Sequence, residues 1–190
     1  MNKKQNIIQA AAHLFADQGF DGTTTIQISR EAGVTEPLIY YPFKGKDDLF
    51  TQILEAGFTE YFNRLDALEN HSGSAMQQIE DLVSLHFAFV DEKPDEIYLT
   101  FSTCPAKLND PNHVCVRNIK RQREQLKALL INCLERGVAS GEFVSVPILE
   151  TAHLIIALIT GWMRLRGLKI DSLEGMKAVA TEFIRRSLVP

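Results

Sequence analysis

Apolar residues recur at helical spacing along this chain, and no run of β-branched residues alternates for long enough to make a strand. Ile7, Ile8, Ala11, Leu14 and Phe15 mark one face of a first helix, and Gly19 offers it a left-handed stop. After a loop over 21–25, Thr24 or Thr25 caps a short helix over 26–32. Gln27 stands three residues after Thr24, as a capping box requires. Gly33 ends that helix. A third begins at Thr35 or Glu36, with Pro37 in the first turn, where a missing N–H is harmless. Pro42 limits it to about seven residues, because the residue before a proline is pushed out of the α region. A long helix over 47–69, a linker over 70–74, and helices over 75–92, 95–104, 111–140, 146–168 and 172–188 complete the pattern. The predicted fold class is all-α.

Composition narrows the function classes. The 190 residues carry 45% hydrophobic and 23% charged side chains, enough apolar mass for a core and too little charge for a disordered chain. A net charge of −4 argues against a polybasic protein but leaves local basic sites open. Cys104, Cys115 and Cys133 are odd in number and widely spaced, which predicts neither a disulfide framework nor a zinc site. The apolar start is broken by Gln, His and Asp, unlike a signal peptide. The apolar stretch 154–163 falls short of the roughly 20 residues that span a bilayer. The expectation is a soluble, cytoplasmic, reduced protein with no membrane partner, no metal and no cofactor.

Residues 23–49, TTTIQISREAGVTEPLIYYPFKGKDDL, hold the informative pattern. Two short helices meet at a turn containing Gly33, with Ile28, Ala32, Val34 and Ile39 placed to pack them together. This is the pattern of a helix-turn-helix, whose second helix can enter a major groove. An ordinary helical hairpin has the same spacing.

The succession LFADQGF, GTTTIQIS and AGVTEPLIYYPFKGKDDLF resembles the TetR family of transcriptional regulators over about the first 55 residues. The resemblance implies a three-helix DNA-binding domain over 1–46 and a helical ligand-binding and dimerisation domain over 47–190. It implies that Thr25, Tyr40 and Lys46 hold DNA phosphates, and side-chain chemistry agrees: a hydroxyl, a phenol on a stiff stem and an ammonium at a helix start. Lys44 adds a looser backbone contact. Base reading would fall to Glu36, Pro37, Leu38 and Tyr41, with Glu36 suited to a cytosine amine and Pro37 and Leu38 to a thymine methyl. Pro42 departs from the aromatic residue or histidine common there. Over residues 1–50, Lys3, Lys4, Arg30, Lys44 and Lys46 face Asp17, Asp21, Glu31, Glu36, Asp47 and Asp48. Near neutrality neutralises few phosphates per chain, so a dimer on a palindromic operator is expected.

Residues 148–168 are apolar nearly all round, and a helix without a polar face has to be covered on every side. A homodimer supplies the cover, with Leu154, Ile155, Leu158, Phe183 and Ile184 as the expected interface. The resemblance implies the same, a four-helix interface from the last two helices of each subunit. His86, Phe87, Tyr98, Phe101, Cys104 and Trp162 are candidates to line a pocket for a small apolar effector; core packing explains each one equally well. Two rivals stand beside a ligand-released repressor. One is a helical binding protein without DNA, which leaves Thr25, Tyr40 and Lys46 unexplained. The other is an enzyme, for which no catalytic motif is present.

Overall fold

The computed structural model describes residues 2–69, 73–101, 104–167 and 175–190. The expected linker at 70–72, the end of the 95–104 helix at 102–103 and the 168–174 segment lie outside these residues. Among the described residues there are eight α-helices and no strand: α1 (Lys3–Gly22), α2 (Thr25–Glu31), α3 (Lys46–Glu69), α4 (Ala75–Glu92), α5 (Pro94–Phe101), α6 (Val114–Ala139), α7 (Ile148–Gly167) and α8 (Met176–Leu188). Short 3-10 turns occupy Glu36–Leu38 and Ala106–Leu108.

The local chemistry explains the boundaries. Asn2 caps α1 by accepting from the Lys4 N–H. Gly19 breaks α1 internally at φ 79°, ψ 164°, a conformation open to glycine and strained for other residues. The capping box forms: the Gln27 N–H donates to Thr24 Oγ1, and the Thr24 N–H donates to Gln27 Oε1. α2 ends in a Schellman turn, with Gly33 at φ 64°. The Gly33 N–H donates to Arg30 O at 3.2 Å and the Val34 N–H to Ser29 O at 2.9 Å.

The third element is shorter than its seven-residue expectation. Glu36–Leu38 forms a 3-10 turn, and one further helical bond runs from the Phe43 N–H to Ile39 O. Pro42 has no N–H to donate to Leu38 O, so a regular i to i−4 ladder cannot be completed at this end of the segment.

The chain folds as two compact units. The first comprises residues 1–60 and 93–120, the second residues 61–92 and 121–190. In the first, α1 packs on α2 and α5. Phe15, Phe20 and Phe50 meet there with centroids 5.0–5.6 Å apart, and Ile28, Ile39, Phe43 and Leu49 are buried in the same unit. Gly57 allows α3 close to α5: a Cβ there would lie 2.7 Å from Thr100 Oγ1. In the second unit, α4 packs on α7 and α8. The N-terminus of α4 is held by Glu142, whose carboxylate accepts from the Ala75 and Met76 N–H groups at 2.9 Å each. Partial burial raises the Glu142 pKa, but these bonds and Arg136 outweigh it and hold the carboxyl below its ordinary range.

One cysteine expectation is corrected. Cys104 and Cys115, eleven positions apart, are joined as a disulfide, with Cα atoms 6.1 Å apart. The segment after α5 doubles back through the 3-10 turn and so brings them together, a return that spacing alone does not reveal. Cys133 is free and buried, and burial pushes its thiol up to about 11.

Candidate nucleic-acid interface

Four residues named for phosphate contact lie together. Thr25, Tyr40, Lys44 and Lys46 line an open cleft of about 650 Å³, with Asp21, Thr23, Thr24, Gly45, Asp47, Asp48 and Lys107. Each is placed by a local feature. Thr25 is the first residue of α2, immediately after the Thr24 cap. Lys44 is held by its backbone N–H, which donates to Asp48 Oδ2 at 2.9 Å, and its side chain is exposed. Tyr40 follows the 3-10 turn, is 53% exposed, and has its hydroxyl 3.4 Å from Thr25 Oγ1.

Lys46 has a structural task as well. Its ammonium donates to Phe20 O and Thr23 O, both at 2.8 Å, and sits 4.4 Å from the centre of the Phe20 ring. It therefore ties the end of α1 to the start of α3. Of its three donors, one remains for a phosphate. Thr23 closes the same corner from inside: it is 1% exposed and its hydroxyl donates to Gly19 O at 2.8 Å.

The residues named for base reading separate. Glu36 Oε1 accepts from the Thr25 hydroxyl at 2.6 Å, so its carboxylate is engaged with a residue of the cleft lining. Pro37 is exposed and Leu38 half-buried. Tyr41 is 93% exposed, and Ile26 adds another exposed apolar side chain on α2. Solvent-facing aromatic and apolar groups thus lie next to the residues of the open cleft.

The C-terminal candidates divide as well. His86, Phe87 and Trp162 belong to the second unit; Tyr98, Phe101 and Cys104 belong to the first. Phe87 and Trp162 stack with centroids 3.6 Å apart. His86 is fully buried, with Nδ1 2.7 Å from Leu82 O and Nε2 3.4 Å from the Tyr61 hydroxyl. Burial lowers its pKa to about 4, against a smaller upward pull from the Leu82 carbonyl, so the ring is neutral; burial also pushes Tyr61 upward. Cys104 is not the free thiol expected of a pocket wall, since it is bonded to Cys115.

Among the interface candidates, Leu154 (66%), Leu158 (41%) and Phe183 (60%) are exposed, whereas Ile155 and Ile184 are 3% exposed. The last two are buried within the chain itself. The sequence reading missed Lys107, which reaches the cleft from a distant 3-10 turn and carries no local motif.

Residues 7–53 match the family of bacterial regulatory proteins described as the tetR family. The IcaR negative transcriptional regulator of the biofilm operon icaADBC in Staphylococcus epidermidis is 31% identical over 109 residues, 56% of this chain and 57% of that one. The transcriptional repressor KstR2 of Mycolicibacterium smegmatis is 25% identical over 143 residues, 75% of this chain and 68% of that one. The solved structure of the ketosteroid transcriptional regulator KstR2 of Mycobacterium tuberculosis superposes with a TM-score of 0.85 at 15% identity, covering 100% of this chain and 96% of that one. The likeness to the tetR family is thus carried by residues 7–53. The described residues of this chain are all-α, as is the fold it shares with that solved structure, and the relatives it resembles are transcriptional regulators. The matched TetR segment contains Thr25, Tyr40, Lys44 and Lys46 but not Lys107.

Proposed function

We propose that this chain is a repressor that grips a palindromic operator as a homodimer and is released by a small, mainly apolar effector. The observation that carries the reading is the cleft itself. Two hydroxyls and two ammonium groups, from Thr25, Tyr40, Lys44 and Lys46, border one open space beside exposed Tyr41 and Pro37. That arrangement suits a DNA phosphate, with Pro37, Leu38 and Tyr41 directed to base edges and Glu36 shared between the two tasks. In this reading residues 1–46 bind DNA, residues 47–190 bind effector and partner, and the protein works in the cytoplasm.

The dimer face is assigned to the exposed apolar side chains of α7 and α8. Leu154, Leu158 and Leu165 fall on one stripe of α7, and Val179 and Phe183 on one of α8, all at least 41% exposed. The 148–165 window reaches a mean hydropathy of 1.4 with 28% of it buried, so by length and composition alone it could cross a membrane. A second subunit is the cover that suits a DNA-binding chain.

For the effector, the second unit offers buried polar atoms without a hydrogen-bond partner: Gln122 Nε2, Gln125 Oε1 and Trp162 Nε1. Each such atom costs about 1–3 kcal/mol, which a ligand's carbonyl or hydroxyl would recover. An apolar body with one or two polar groups fits this chemistry. Selection from a pool of randomised duplexes tests the function. The expected product is a palindrome with half-site centres about one helical turn apart, roughly 34–36 Å. Recovery of unenriched sequence after repeated rounds would overturn the repressor reading.

A further inference from the structure

We propose that Lys107 is an additional DNA-phosphate ligand, presented to the cleft by the loop that the Cys104–Cys115 disulfide closes, so that reducing this bond weakens DNA binding. The inference rests on the reading of the cleft as a phosphate site.

Charge in the cleft is the first argument. Its lining includes Lys44, Lys46 and Lys107 against Asp21, Asp47 and Asp48. The Lys46 ammonium already serves the Phe20 and Thr23 carbonyls. Without Lys107 the carboxylates outnumber the ammonium groups, and an arriving phosphate meets net repulsion. Lys107 Nζ lies 2.5 Å from Asp47 Oδ2, and its side chain is 65% exposed. It cancels the acid at the start of α3 and keeps donors for a phosphate oxygen.

The second argument is how Lys107 is carried. It sits in the 3-10 turn Ala106–Leu108, whose Leu108 is buried at 6% exposure. The turn is closed by the Leu108 N–H donating to Pro105 O at 2.8 Å, and the following bend by the His113 N–H donating to Asp110 O at 2.8 Å. Cys115 is 1% exposed on the first turn of α6, and Cys104, half-buried, is bonded to it. The cross-link fixes the start of the loop to a buried point and limits where Lys107 can go.

Reduction by an external dithiol is balanced. A dithiol thiolate attacks Cys104 Sγ, the S–S bond breaks, and Cys115 leaves as a thiolate that takes a proton. The second dithiol sulfur then displaces Cys104, which is protonated in turn. Two electrons pass to the protein, and the dithiol ends as its own disulfide. The loop loses its tether and the ordered population of Lys107 falls.

The test is a salt-series titration of a duplex of arbitrary sequence, with and without dithiothreitol. Wild type, Lys107→Ala, Lys44→Ala and the double variant Cys104→Ser/Cys115→Ser are compared, each checked for helicity. Lys107→Ala should bind several-fold more weakly with a shallower salt dependence. Dithiothreitol should weaken wild type several-fold and leave Lys107→Ala little changed. The double serine variant should match reduced wild type. Protein purified without thiols should show one titratable thiol in denaturant, that of Cys133. Three thiols, wild-type binding by Lys107→Ala, or equal sensitivity of Lys107→Ala and wild type to dithiothreitol would each overturn the proposal. If Lys44→Ala weakens binding while Lys107→Ala does not, only this inference falls. If neither does, the reading of the cleft falls with it.

Discussion

His86 is a neutral ring buried against Tyr61 of α3, and its burial opposes protonation. Its pKa is about 4 in the folded chain against 6.5 when exposed. Between these values the unfolded chain takes up a proton that the folded chain refuses, so stability rises with pH across the window from about 4 to 6.5. The contribution is fully present above 6.5 and is lost as the pH falls to about 4, on the order of 3 kcal/mol in all. Urea unfolding of wild type and His86→Gln at pH 7.5 and 5.0 checks this. Wild type should lose more stability on acidification than the variant; equal losses would remove His86 as the cause. Residue-scale chemistry was partly legible. A histidine in an apolar run signals burial, but whether it lines a pocket or fills a core depends on the Leu82 and Tyr61 contacts. Lys46 was legible as a cation at a helix start; its two backbone acceptors lie on a corner that only folding brings near.

At the scale of elements, boundaries written in caps were readable in advance and those set by tertiary return were not. Thr24 with Gln27, and Gly33 with its positive φ, act within a few residues and could be read directly. The recognition segment is a 3-10 turn where its spacing reads as a seven-residue helix, because Pro42 removes the donor to Leu38 O as well as stopping the chain. α7 posed the opposite difficulty. With little polar face it has no phase to read, so Ile155 and Leu154 look alike in sequence although one is buried and the other exposed. The disulfide needs the 104–115 loop to double back, which no spacing rule captures. The end of α6 yields an element-scale prediction. A Cβ on Gly137 would lie 2.1 Å from Cδ2 of Phe143, a side chain only 3% exposed. Gly137→Ala should lose about 1–3 kcal/mol to overpacking, more than the roughly 1 kcal/mol that alanine contributes to a helix. A urea midpoint equal to or above wild type would show that Phe143 moves aside without cost.

For the whole molecule, the exposed stripes of α7 and α8 predict a dimer that single substitutions can separate from folding. Phe183→Asp places a charge where the single chain is already open to water, so a helical protein should sediment near 21.4 kDa instead of about twice that. Ile155→Asp buries an unpaired charge inside the subunit and should unfold it. Phe183→Asp sedimenting as a full dimer would place the interface elsewhere. Dimerisation and phosphate contact together are the central claim, because a near-neutral reading domain needs two copies to hold DNA. The salt dependence of duplex binding measures both at once. Each lost phosphate contact lowers the slope of log affinity against log salt by about 0.9, so Lys44→Ala in a dimer should lower it by roughly 1.8. A folded Lys44→Ala protein with the wild-type slope would contradict the account.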